Sequence, residues 1–217
     1  RNSTVQPAIG YDYYNSTSIS SPLPIATPTG TTAAGVTTTS LSSLIPATNY
    51  YCWVRANCGT NDNSIWIGPT IYTTLCDDLA IFEENFDSTP TGTGNLPNCW
   101  TKLGTSSNVY ASTGSTAPMS PSNRLYMNIS ASTTAYAVMP SVSNLQANTH
   151  RLKFKVYCTT VSKAISVGYL SNPLDENSYV EINQFAMQGT TVGSTEEFTV
   201  TPIGIPAGVK KLAFHIP

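Results

Sequence analysis

The segment Leu44-Ile45-Pro46-Ala47-Thr48-Asn49-Tyr50-Tyr51-Cys52-Trp53-Val54-Arg55 constrains the fold more than any other part of the chain. Pro46 has a fixed φ and no N–H, so no strand runs through it. Asn49 favours a turn. From Tyr50 onward the residues alternate by two: Tyr50, Cys52, Val54 and Ala56 share one face, and Tyr51, Trp53 and Arg55 share the other. This predicts a corner followed by a strand, with the Tyr50 set inward and Trp53 outward. A lone strand cannot bury its face, so the chain must supply partners. Composition agrees with a sheet protein. Ser and Thr make up about a quarter of the 217 residues, Gly and Pro are frequent, and strong helix formers are sparse. No stretch shows a useful helical period.

Other runs fit strands separated by polar turns. In the first part these are residues 9–15, a short edge strand at 24–27 inside a Pro/Gly/Thr-rich connection, 36–44, and the region from Trp66 to Cys76. Cys76-Asp77-Asp78-Leu79 marks a boundary. Beyond it the expected strands are 124–129, 134–139, 151–158, 164–170, 179–186, 197–201 and 211–215. Their short, regular spacing without intervening helices predicts an antiparallel two-sheet body rather than a parallel α/β sheet.

Leu44, Pro46 and Tyr50 resemble the tyrosine corner of fibronectin type III and immunoglobulin-like sandwiches. Arg55-Ala56-Asn57-Cys58-Gly59, Trp66-Ile67-Gly68-Pro69 and Tyr72-Thr73-Thr74-Leu75-Cys76 are similar to the last two strands of the fibronectin modules of large secreted bacterial surface proteins. Such a sandwich has seven strands. About five are visible before Cys76, so the resemblance implies a fibronectin type III-like domain over 1–76 that lacks its first strands. In the second part, Glu84-Asn85-Phe86-Asp87, Leu96-Pro97 with Cys99-Trp100, residues 152–157, Val167-Gly168-Tyr169-Leu170-Ser171-Asn172-Pro173 and Lys211-Leu212-Ala213-Phe214 resemble the MAM-like, cleaved-adhesin (choice-of-anchor J type) jelly rolls of secreted Bacteroidota surface proteins. That family continues into a further strand with an Ile-Asp-Asp-Val-like motif, so the resemblance implies a jelly-roll domain over 77–217 that lacks its last strand. The expected fold is all-β: a partial fibronectin type III-like sandwich, then an antiparallel jelly-roll sandwich.

Several functions are disfavoured by the residues themselves. Charged residues are 10% of the chain and the net charge is −2, so no basic patch suits nucleic acid. No apolar run approaches the ~20 residues that span a bilayer, so no membrane insertion is expected. Neither His150 nor His215 sits in a metal or triad spacing, and no Gly-x-Ser-x-Gly elbow occurs. Five cysteines point to an oxidising compartment. Cys52 is the expected odd thiol, because its strand face is read as inward. Cys58, Cys76, Cys99 and Cys158 are the disulfide candidates, with three pairings open. Cys76 with Cys99 is favoured because both flank the start of the second domain.

The jelly-roll resemblance implies a structural calcium ion, held in part by Glu84 and Asp87 and tying first strand to last. The loop Asp175-Glu176-Asn177 reads as a polar turn. Trp53 and Trp66, and Tyr110, Tyr126 and Tyr179 near loops, are candidates for contact with a sugar or peptide, since exposed aromatic rings offer flat apolar area and polar tips. Trp100 is expected in the core. Asn2, Asn15 and Asn128 open N-glycosylation sequons, and Asp87-Ser88-Thr89 resembles an O-glycosylation signal of Bacteroidota secreted proteins.

Together these imply a non-catalytic module that binds a surface glycan or protein. It would be extracellular or at the cell surface, within a larger protein exported by a type IX-like route. Two alternatives are an accessory region of a secreted protease or glycosidase, and a spacer in a surface filament whose open sheet edges are completed by neighbouring copies or domains.

Overall fold

The computed structural model describes residues 7–60, 62–114, 122–159, 163–187 and 195–217. Among them regular structure is almost wholly strand, with two short 3-10 turns and no α-helix. The chain divides into two units, Arg1–Cys76 and Asp77–Pro217.

The first unit is one antiparallel sheet. Its strands are β1 (Gly10–Ser16), β2 (Gly30–Thr31), β3 (Asn49–Asn57) and β4 (Ile67–Thr73), in the order β2-β1-β3-β4. The corner forms as expected: the Ile45 N–H donates to the Tyr50 hydroxyl at 3.0 Å, and Tyr50 stacks on Tyr72 with ring centroids 5.7 Å apart. The face assignment of β3 is corrected. Trp53 is 1% exposed and Arg55 is buried, whereas Val54 is 40% exposed and Cys52 only half-buried. Alternation separates two faces but does not say which is covered when both carry apolar groups. Here cross-strand partners decide. Tyr14 lies opposite Trp53 and packs edge-on to it, and Asp12 lies opposite Arg55.

Asp12 and Arg55 form a buried ion pair at 2.8 Å. Thr31 Oγ1 and Asn57 Nδ2 donate to the other carboxylate oxygen, and Arg55 Nη1 donates to the Pro24 carbonyl. The guanidinium covers the Trp66 ring at 4.4 Å, while Trp66 Nε1 donates to Leu23 O. Residues 24–27 are therefore a turn pinned by Arg55, and the edge strand is the two-residue β2. Residues 36–44 form no strand either. Their apolar side chains, Val36, Leu41 and Leu44, fall five and three apart, so no single sheet face can collect them.

The second unit contains β5 (Thr101–Leu103), β6 (Val109–Thr113), β7 (Asn123–Met127), β8 (Tyr136–Val138), β9 (Leu152–Tyr157), β10 (Ala164–Leu170), β11 (Tyr179–Ala186), β12 (Thr195–Val200) and β13 (Lys211–His215). Five form a sheet in the order β11-β10-β13-β8-β5, and the rest pair as β12-β9 and β6-β7. Every pairing between these strands is antiparallel, and a parallel bridge joins Leu79 to Val142 outside them. One core joins these layers. Val109 from β6, Val200 from β12 and Leu125, Met127, Leu152 and Phe154 from β7 and β9 meet Ala137, Val167 and Phe214 of the large sheet. Trp100 sits in this core against Phe82 and Phe86, as its sequence context suggests. The architecture is an antiparallel β-sandwich.

Candidate functional site

Inward burial by β6, β7, β9 and β12 leaves their alternate residues on the outer face. On β6 and β7 this places Tyr110 opposite Tyr126, with ring centroids 5.3 Å apart and a 47° tilt. Both are half-buried. Such a pair contributes about 0.5–1.5 kcal/mol beyond its buried area and holds both rings in a fixed posture. Arg124 shares the face of Tyr126, two residues back along β7. Its guanidinium lies 5.5 Å from the ring of Tyr157, the outward residue that ends β9. Lys155 and Lys153 continue the same face of β9 and are exposed. Lys155 approaches Glu197 of β12 at 3.9 Å, with both side chains more than half exposed. The result is a strip of three tyrosines and three cations, carried on strands rather than on loops.

A recess of about 370 Å³ opens elsewhere in the unit, lined by Thr93, Leu96, Trp100, Lys102, Ser107 and Val109 among others. Lys102 Nζ donates to Ser106 O at 2.8 Å, which directs its charge to the protein's own loop.

The large sheet brings together residues that sequence spacing keeps apart. Ser166 Oγ lies 2.9 Å from the Tyr179 hydroxyl and 3.3 Å from His215 Nδ1, and His215 stacks on Tyr136 at 4.3 Å. Ser166 is 0% exposed, so no substrate atom reaches its hydroxyl here. Tyr179, a candidate contact residue, instead packs down on the sheet. A Cβ at Gly168 would lie 2.3 Å from the Val180 carbonyl oxygen and 2.5 Å from the Tyr179 ring, so only glycine seats it. Burial, opposed by the Ser166 hydrogen bond and aided by the Glu181 charge, pushes the Tyr179 hydroxyl up to about 12.

Burial also lowers the His215 pKa below 6.5, against the opposite pull of the Glu181 and Glu176 carboxylates. A lowered value means the folded state resists protonation. The associated stability is complete above 6.5 and is lost as the pH falls from there through the folded value. Thermal melts at pH 7.5 and 5.5 are expected to show a lower midpoint in acid. His215→Phe, which keeps the stack, should shrink that difference, and an unchanged difference would exclude His215 as its source.

Glu84 and Asp87 have other duties. Glu84 accepts from the Phe86 N–H, and Asp87 Oδ1 accepts from the Asn123 N–H at 2.8 Å and from Ser122. Among the described residues no group of three or more His, Cys, Asp or Glu is arranged to hold a metal. Asp175 Oδ1 caps its turn through Asn177, and Glu176 accepts from Thr134 Oγ1, which fits a polar turn.

Cys76 and Cys99 are disulfide-bonded. Cys58 carries an exposed free thiol, correcting its candidacy, because no disulfide engages it; Cys158 lies half-buried just past β9. Trp53 is buried and Trp66 half-buried beneath Arg55, so neither offers an open ring face. Asn15 accepts from the Tyr72 hydroxyl, Asn128 is exposed, and Asn2 lies outside the described residues. Ser88 is exposed beside the engaged Asp87. No helix among the described residues is long and apolar enough to cross a membrane.

Arg124 and Tyr157 were not legible as site residues, because only the folded meeting of β7 and β9 joins them. No protein-family model matches the chain, and no curated protein matches it. Among the solved structures similar to part of it, two are cleaved adhesin domains. One is the K2 cleaved adhesin domain of Lys-gingipain, at 15% identity over 62% of this chain and 87% of that one, with a TM-score of 0.46. The other is the K3 cleaved adhesin domain of Lys-gingipain from Porphyromonas gingivalis w83, at 18% identity over 63% and 89%, with a TM-score of 0.42.

Proposed function

We propose that the chain is a non-catalytic ligand-binding region of a larger secreted bacterial surface protein, of the adhesion type. In this reading the first unit is a fibronectin type III-like module and the second a MAM-like jelly roll. The second unit does the binding, and its ligand is a surface glycan or protein. The observation that carries this is the Tyr110–Tyr126 pair on the outer face of the sandwich. Partly exposed rings set on paired strands are preorganised, so a ligand spends little on ordering them. The disulfide-bonded Cys76 and Cys99 support an oxidising, extracellular setting.

A glycan array probed with the full chain tests the reading. Wild type is expected to bind, and Tyr110→Ala/Tyr126→Ala to bind at least about thirtyfold more weakly, the effect of losing a central aromatic anchor worth ~2 kcal/mol. Equal binding by the double variant would move the site elsewhere. No binding by wild type to glycans or to extracellular matrix proteins would remove the reading.

A spacer in a surface assembly is a second reading, favoured by the edge strand β4, where Ile67 and Ile71 are 65% and 58% exposed. It expects the chain to self-associate in solution, and Ile67→Lys/Ile71→Lys to make it monomeric by light scattering.

A further inference from the structure

We propose that the strip Tyr110–Tyr126–Arg124–Tyr157–Lys155–Lys153 is a site for an acidic polysaccharide, one whose sugar rings carry carboxylate groups. This rests on the ligand-binding reading above and adds the chemical class of the ligand.

The juxtaposition of rings and cations is the first argument. Tyr110 and Tyr126 offer apolar flats suited to the C–H face of a sugar ring. Arg124 follows about 7 Å along the strand from Tyr126, and Tyr157 lies against it at 5.5 Å. Lys155 and Lys153 follow on β9, again at alternate positions. A linear ligand laid along this strip meets the paired rings at one end and the exposed Lys155 and Lys153 at the other. A flat apolar ligand would leave the cations unused, and a bare polyanion would leave the tyrosines unused.

Charge is the second argument. The chain has 10 Lys and Arg against 12 Asp and Glu. Yet the outer faces of β6, β7, β9 and β12 carry Arg124, Lys153 and Lys155, with Glu197 as the acid among their described residues. Glu197 spans 3.9 Å to Lys155 with both groups more than half exposed. An exposed pair of this kind is weak and yields readily to a better acceptor. Lys153 stands opposite Thr199, which neither competes for nor cancels its charge. A charge-assisted hydrogen bond to a carboxylate is stronger than a neutral one, and a lysine can swing to meet it.

Backbone geometry is the third. The six residues sit on hydrogen-bonded strands whose opposite faces fill the core. Spacing within each strand pair is therefore set by its pairing, and the Arg124–Tyr157 contact joins the two pairs.

The test uses the full chain and three probes: polygalacturonate, its methyl ester with the same backbone and no charge, and single-stranded DNA as a polyanion without acidic sugars. Polygalacturonate is expected to bind, with affinity falling as salt rises. The methyl ester should bind about tenfold more weakly or worse, and DNA no better than the ester. Lys153→Gln/Lys155→Gln, at exposed positions that leave the core intact, should cost about tenfold toward polygalacturonate and little toward the ester. Tyr110→Ala/Tyr126→Ala should weaken both. Equal binding of ester and acid would overturn the acidic class and leave the ligand-binding reading standing. Binding of DNA as tight as that of polygalacturonate would overturn it in favour of a general polyanion surface. Failure of all three probes, together with a blank glycan array, would overturn both.

Discussion

Asp12→Ala is expected to destabilise the chain by about 3–5 kcal/mol, because it leaves the buried guanidinium of Arg55 without its counter-charge. Asp12 is 1% exposed and Arg55 8%, so water cannot replace the lost partner. The same change strands Thr31 Oγ1 and Asn57 Nδ2, and it loosens the hold of Arg55 on the Pro24 carbonyl. Urea denaturation followed by tryptophan fluorescence will measure it, since Trp66 lies under the guanidinium. A loss below about 1 kcal/mol would mean that the pair is solvated. Burial pushes the Asp12 carboxyl up, but the hydrogen bonds from Asn57, Thr31 and Arg55, with the Arg55 charge, outweigh it and hold the pKa below 3.8. Its stabilising share is therefore present above that value and lost as the pH falls through the folded one.

Trp100→Ala should cost a similar 3–5 kcal/mol in the second unit, from lost apolar burial and the cavity left behind. Trp100 is 8% exposed and packs edge-on against Phe82 at 6.2 Å and Phe86 at 5.5 Å. Those two rings come from the segment before β5, which polar ties also hold, through the Leu79–Val142 bridge and the Asp87 bonds to Ser122 and Asn123, so the indole supplies the apolar packing that these ties do not. Trp100→Phe should retain much of the stability. Limited proteolysis offers a second readout: in Trp100→Ala, cleavage is expected first between residues 80 and 100. Unchanged stability and cleavage in the alanine variant would show that the segment is held by other contacts.

How far the sequence exposed this architecture depends on the length and purity of each pattern. β10, β11 and β13 lie where their apolar and aromatic alternation placed them, and the corner before β3 was readable from Pro46, Asn49 and Tyr50. β5 and β6 were missed, the first because three residues carry no period and the second because Val109 and Ala111 alternate with few apolar neighbours. Residues 36–44 show the opposite error, β-prone Thr and Ser without a face to bury. Arg55 escaped notice because a charged residue counts as outward until its partner is known, and that partner lies 43 positions away. The binding strip was half readable. Tyr110 and Tyr126 stood out as aromatics, but their pairing depends on register and the approach of Arg124 to Tyr157 on tertiary packing.

The carboxylate of Asp87 grips the start of β7 through backbone and hydroxyl hydrogens. A clasp closed by covalently attached donors has no diffusible component to lose. Where free divalent ions rise and fall, such a joint keeps its shape through changes that would empty an ion-bridged one.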